Sequence, residues 1–259
     1  MIRITAIEPE PLGEVRYLNA VSSGRTEVSR LEIVRARVGR LADELDALVC
    51  CSDLQGMVNG ELLGVTVAAQ LAQLADDGVL PPSARTGIVL AGDLYSVPAA
   101  NRRGGYGDVA TVWRAFAERF PWVVGVAGNH DDMTNVEGDN LHVLDGTIVE
   151  VDGLRFAGVG GIVGNPSKPG RREEDDQLTR ISNVIEAPCD VLVLHEGPSG
   201  NNNGQAGNAY IRKIVEVAGV PLTVCGHAHW ELPLADHARG QILNVDARVV
   251  VMQAFYIAR

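Results

Sequence analysis

Five short apolar runs each stop at a polar side chain. They are LVCCS at 48–52, GIVLAG at 87–92, VVGVAG at 123–128, DVLVL at 190–194 and LTVCG at 222–226. Runs this short, rich in Val, Ile and Leu and bounded by Gly, read as strands buried on both faces. The stretches between them place apolar residues at helical spacing: 61–77, 108–119 with Asp108 as its N-cap, 174–187 and 208–218. The same spacing, through Val28, Leu31, Val34, Val38, Leu41 and Leu45, predicts a further amphipathic helix over 28–45, after a strand at 1–8 and a loop at 9–26. Residues 147–151 and 154–159 form a hairpin about Asp152-Gly153, a pair suited to a type I′ turn. Residues 230–255 hold two or three alternating strands, with turns near Gly240 and Asp246. The irregular segment 164–176 reads as a mobile surface loop. Strands alternating with helices, plus hairpins, specify a layered α/β fold: two packed mixed β-sheets with helices outside. No repeat or linker divides the chain, so residues 1–259 are expected to form a single domain.

Composition excludes several classes of function. The chain has 259 residues, 46% hydrophobic and 21% charged, an ordinary globular balance. No stretch approaches the ~18 consecutive apolar residues of a membrane helix. The start, MIRITAIEPEPLGE, has no basic segment leading into an apolar one, so no secretory leader is expected. A net charge of −11 repels nucleic acid and anionic membranes, so no extended nucleic-acid footprint is expected. Cys50 and Cys51 are neighbours on a strand and point to opposite faces, which makes them poor disulfide partners. With Cys189 and Cys225 they lack any metal-knuckle spacing. They read as buried thiols of a cytoplasmic protein.

The polar residues that follow the runs are Asp53 and Gln55, then Asp93, Asn129 and His130, His195, and finally His227 and His229. In open α/β sheets the ligand site lies beyond the carboxyl ends of the strands, so these groups can converge. Four of the six histidines lie there; His142 and His237 fall elsewhere. One such histidine would be an ordinary core or loop residue. Together, the Asp, Asn and His side chains point to a metal site. Gly92, Gly128 and Gly226 each precede one of these residues, where Gly permits a positive φ and close approach of the backbone.

The order Asp53-Leu54-Gln55, Gly92-Asp93, Gly128-Asn129-His130-Asp131, His195 and Gly226-His227-Ala228-His229 resembles the calcineurin-like metallophosphoesterases, whose fold is a pair of mixed sheets flanked by helices. The resemblance runs from about residue 47 to 229 and leaves the first fifty residues unassigned. It implies that Asp53, Gln55, Asp93 and His229 hold one divalent ion and that Asp93, Asn129, His195 and His227 hold a second, with Asp93 bridging. It implies that His130 binds no metal but assists the leaving oxygen of the substrate. Two ions ~3.5–4 Å apart can clamp phosphoryl oxygens and supply hydroxide for in-line attack. Nitrogen and oxygen donors without thiolate suit Mn²⁺, with Fe, Zn²⁺ or Mg²⁺ as alternatives.

The departure is Gln55, where the family usually has His. Its amide oxygen is a neutral, harder donor than imidazole, which favours Mn²⁺ or Mg²⁺ over Zn²⁺. Some relatives, among them manganese-dependent ADP-ribose/CDP-alcohol pyrophosphatases, carry D-x-Q at this point. The other reading leaves Gln55 outside the coordination sphere of a half-empty first site.

The expected activity is hydrolysis of a small phosphodiester or nucleotide-type substrate. Phosphomonoesters, phosphoprotein and a non-catalytic scaffold role are the alternatives. Arg102 and Arg103, in the loop after Asp93, can meet a second phosphate or form a solvated charged pair. Tyr95 and Asn101 lie in the same loop. Asn201, Asn202 and Asn203 read as a loop and Trp230 as core. The sequence does not specify an oligomeric state.

Overall fold

All five apolar runs are strands in the computed structural model, which describes residues 2–20, 24–102 and 104–254. The chain begins with β1 (Ile4–Ile7), β2 (Gly13–Ala20), β3 (Thr26–Val38) and β4 (Ala47–Ser52). The short pair β5 (Met57–Val58) and β6 (Glu61–Leu62) leads into α1 (Leu63–Asp76) and β7 (Thr86–Leu90). Next come β8 (Gly107–Asp108), α2 (Ala110–Ala117), β9 (Val123–Gly125), β10 (Asp131–Asp132) and β11 (Leu141–Val143). The hairpin β12 (Thr147–Val151) and β13 (Leu154–Val159) precedes β14 (Ile162–Val163), β15 (Arg171–Arg172) and α3 (Glu174–Val184). The remainder is β16 (Val191–Glu196), α4 (Ala209–Ala218), β17 (Leu222–Gly226), β18 (Leu234–His237), β19 (Gly240–Asn244) and β20 (Arg248–Ala254).

Two mixed sheets dominate. The first has ten strands in the order β11-β9-β7-β4-β20-β3-β2-β5-β6, with β1 paired to β3. The second has six, in the order β12-β13-β16-β17-β19-β18. Their inner faces share one core, in which Cys50, Val89 and Val124 of the first sheet meet Phe156, Val193 and Val224 of the second. On its outer face the first sheet buries Cys51, Ile88 and Leu90 against Leu71 of α1 and Trp113 and Phe116 of α2. On its outer face the second sheet buries Leu192, Leu194 and Cys225 against Ile181 of α3 and Ile211 and Val215 of α4. Helices, two sheets and helices are therefore stacked in four layers, as the alternating pattern implies.

Local chemistry fixes several ends. Asp152 and Gly153 both have positive φ, 46° and 70°, the backbone of a type I′ turn. Asn208 caps α4 by accepting from Tyr210 N (2.9 Å) and Ile211 N (3.1 Å). Asp108 accepts from Ala110 N (2.8 Å), but Val109 stands at the N-cap of α2. Cys50 and Cys51 lie in different cores, all four cysteines are free, and Trp230 is buried under the second sheet.

Three expectations are corrected. Residues 28–45 are not a helix, because β3 occupies Thr26–Val38, and the presumed loop 9–26 contains β2. The helical spacing arises because β3 changes its buried face along its length. Leu31 and Ile33 enter the outer core, whereas Ala36 and Val38 enter the core between the sheets. A switch of parity within a strand leaves apolar residues three apart, which imitates a helix. The segment 164–176 is also tied down rather than loose. Arg172 donates to Gly160 O (2.6 Å) and to Asp145 (2.7 Å), and Gly170 packs on the backbone of Asn129.

Candidate metal centre

The first sheet places β9, β7 and β4 side by side and parallel, so Asn129, Asp93 and Asp53 follow three adjacent strand ends. The second sheet does the same with β16 and β17, which deliver His195, His227 and His229. Packing one sheet on the other brings the two rims together over the shared core. The turns at these ends are strained. Asp53, Asp93 and His227 adopt left-handed φ of 55°, 54° and 68°. That conformation costs roughly 1–2 kcal/mol for a residue with a side chain, and such residues cluster at functional sites. Of the three preceding glycines only Gly92 has positive φ, 90°. Gly128 and Gly226 are required for space, since a methyl group on either would overlap the carboxylate of Asp93 or Asp53.

Asp93 is the hub. His195 Nε2 lies 3.4 Å from its Oδ1 and His130 Nε2 3.8 Å from its Oδ2. The backbone amide of His130 (3.0 Å) and the side-chain amide of Gln55 (Nε2, 3.0 Å) both donate to this carboxylate. Ligand atoms of Asp93, His195 and His227 all lie within 4.8 Å of one another. Asp53 Oδ2 accepts from Ser52 Oγ (2.5 Å) and His227 N (2.9 Å), tying the two sheets together beside this cluster.

The electrostatics and the unpaired atoms both call for a cation. Asn129 Oδ1 and His195 Nε2 are buried without a hydrogen-bond partner. A buried polar atom left unpaired costs about 1–3 kcal/mol, so both atoms require a partner. His195 Nδ1 donates to Ala91 O (2.8 Å), which leaves Nε2 as the ring atom that faces Asp93. Burial drives the Asp53 carboxyl well above its ordinary range. Burial also penalises the Asp93 carboxylate, but His195 and His130 outweigh it and hold the group below that range. His195 is disfavoured as a cation by burial, yet Asp93 and Asp53 raise its pKa strongly. Its proton is the positive charge these carboxylates demand, and a divalent ion meets the same demand. His227 stands at the rim, where partial burial of its ring and the neighbouring His195 push its pKa down to about 4, leaving a neutral donor. The residues present therefore fit a metal.

Among the described residues, each expected site residue except Arg102 is brought to this rim. His229 directs Nδ1 at Asp246 Oδ2 (2.9 Å), the carboxylate support often found behind metal-binding histidines. His130 Nδ1 is held by Gly105 O at 2.5 Å. Gln55 presents its amide nitrogen, not its oxygen, to Asp93, and a half-turn of the amide exchanges the two. A cleft of 380 Å³ is lined by Asp53, Gln55, Asp93, His130, His227 and His229, together with Tyr17, Asn19, Asp246 and Ala247. Arg102 is exposed and is not among these lining residues, and Arg103 lies outside the described residues. The Tyr95 ring packs over Gly105 and Gly107 instead of facing the cleft, and Asn201 to Asn203 form an exposed loop.

Two supporting acids, both named in the sequence, receive their roles only from the structure. Asp246 follows the apolar run QILNV just as the ligands follow theirs, but it reads as part of a turn. Asp131 is buried, accepts from Leu94 N (2.7 Å), Tyr95 N (3.1 Å) and Gly128 N (2.9 Å), and so locks the loops after β7 and β9 together. Burial, with Asp93 nearby, pushes its pKa up to about 6.

Comparison with known proteins identifies the family and the fold. Residues 47–231, well over half of the chain, match the calcineurin-like phosphoesterase family model. The chain belongs to that family. No curated protein matches it. Among solved structures, TT1561 of Thermus thermophilus is 16% identical, with a TM-score of 0.56, over 78% of this chain and 90% of that one. A second is 10% identical, with a TM-score of 0.55, over 77% and 90%. Both likenesses concern the fold. Among the described residues no helix is long and apolar enough to cross a membrane.

Proposed function

We propose that this protein is a metal-dependent hydrolase of a small phosphodiester or nucleotide-type ester, working in the cytoplasm. The observation that carries the reading is the pair of buried, unpaired donor atoms, Asn129 Oδ1 and His195 Nε2, set around the Asp93 carboxylate. In this reading Asp53, Gln55 through its oxygen, Asp93 and His229 hold one ion. Asp93, Asn129, His195 and His227 hold the other, and manganese suits the donor set. Two bound divalent ions supply the charge that draws a phosphate into an acidic protein and acidifies water.

The chain's own residues do the rest. Gly105 O fixes the His130 ring through Nδ1 and leaves Nε2 as the atom able to carry a proton to the leaving oxygen. The strained turns at Asp53, Asp93 and His227 hold the donors in place before substrate arrives. A non-catalytic scaffold would have no use for His130 held in this way beside a full donor set.

Chelation should abolish hydrolysis of bis(4-nitrophenyl) phosphate, and Mn²⁺ should restore it. Asp93→Ala should lose bound metal and activity together. His130→Ala should keep its metal and lose about 10²–10⁴-fold in kcat, the usual contribution of a proton-transferring side chain. Full activity in either variant would sink the assignment.

A further inference from the structure

Part of the cleft wall is built by residues outside the 47–231 family match. Strand β3 pairs with β20 only from Ile33 onward, so Thr26–Glu32 run on past that pairing. β3 is parallel to β20, and β20 begins directly after Asp246 and Ala247 of the cleft, so the overhang rises on the metal side. At about 3.3 Å per residue it extends roughly 20 Å. β2 pairs along it from Glu14↔Glu32 to Ala20↔Thr26. The resulting two-stranded arm is anchored at two points. Leu18 pairs with Met57, just past Gln55, and Thr26 Oγ1 donates to Ala100 O (2.9 Å) in the loop after Asp93.

The inward face of β2 reads Val15, Tyr17, Asn19. Val15 and Tyr17 are buried in the outer core, and Tyr17 packs its ring over Gly56. Asn19 continues the same stripe where the core ends and the cleft begins, and it is only partly buried. An inward-facing amide at the end of an apolar stripe needs a partner to donate to and accept from. It lines the same cleft as the metal donors, so a group carried by the substrate beyond its phosphate meets it there.

We infer that the N-terminal arm is the substrate-selecting wall of the site, with Asn19 hydrogen-bonding an uncharged polar group, of the sugar or nucleoside kind, attached to the phosphate. This rests on the phosphoesterase reading above. Tyr17 is a positioning residue, acting through the Gln55-Gly56 turn.

Two esters that release the same nitrophenolate test the assignment: thymidine 5′-(4-nitrophenyl phosphate), which carries a sugar, and bis(4-nitrophenyl) phosphate, which does not. With manganese-loaded protein, Asn19→Ala should lower kcat/KM for the thymidine ester about tenfold, chiefly through KM, as for loss of one hydrogen bond. The aryl diester should change less than about twofold, with metal content unchanged. Arg16→Ala, on the opposite and exposed face of β2, should leave the ratio of the two esters where it was. An unchanged ratio in Asn19→Ala, or an equal shift in Arg16→Ala, overturns the inference. Wild-type protein that hydrolyses neither ester defeats the phosphoesterase reading instead. Equilibrium binding of the two esters to the loaded protein then supplies the same ratio and decides the role of Asn19 separately.

Discussion

Gln55 is the site residue whose position and orientation tell different stories. It stands beside Asp93 where the family usually offers an imidazole, and it turns its NH₂ group toward the carboxylate (3.0 Å). A cation placed against Asp93 would reverse that preference, because only the amide oxygen can face it. Gln55→His should then shift metal choice toward Zn²⁺ when the protein is loaded from an equimolar Mn²⁺/Zn²⁺ mixture and its content measured. An unchanged profile would remove Gln55 from the coordination sphere. The donors are legible in the sequence because each lies within three residues of the end of an apolar run, so chain position and spatial position coincide. Asp246 is not, because what matters is its contact with His229, 17 residues away across a strand pair. The backbone oxygens that orient His130 and His195, on Gly105 and Ala91, leave no side-chain signature at all.

At the scale of elements, the helices and the buried parallel strands follow from period and length, and β3 does not. Its apolar residues serve two cores in succession, and a period count cannot tell that from one helical face. The same ambiguity hides the arm made by β2 and β3, and with it the arm's part in the cleft. Its contact with the metal loop is tight. A methyl group on Gly56 would run into the Tyr17 ring, and both neighbours are held by pairing of Leu18 with Met57. Gly56→Ala should therefore cost about 1–3 kcal/mol, the usual penalty for overpacking, readable as a lower denaturation midpoint. It should also weaken metal retention, since Gln55 precedes the displaced residue. A variant with wild-type stability would show that the arm yields freely at this point.

For the whole molecule, the donors are divided between the sheets: Asp53, Asp93 and Asn129 on the first, His195, His227 and His229 on the second. An ion held by both is a cross-link at the open rim of the sandwich as well as a source of chemistry. Metal at about 100 times its dissociation constant should add about 2.7 kcal/mol to stability. For a chain of this size that corresponds to a rise in Tm of roughly 5–10 °C over the chelated protein, measurable by scanning calorimetry. An identical Tm with and without Mn²⁺ would mean that the rim is braced by protein contacts alone. The layered class is legible from alternation, but the strand order is not, because β20 inserts between β3 and β4.

That insertion has a consequence for biosynthesis. The pairing that joins the N-terminal strands to the rest of the first sheet runs through β20, which pairs parallel to β3 and antiparallel to β4. β1, β2 and β3 leave the ribosome early, yet their central partner is translated long after them. Until residues 248–254 appear, β3 exposes an unpaired strand edge and β4 exposes another, the kind of surface that recruits foreign strands. The arm and the metal rim can meet in their final register only when that late strand closes the gap.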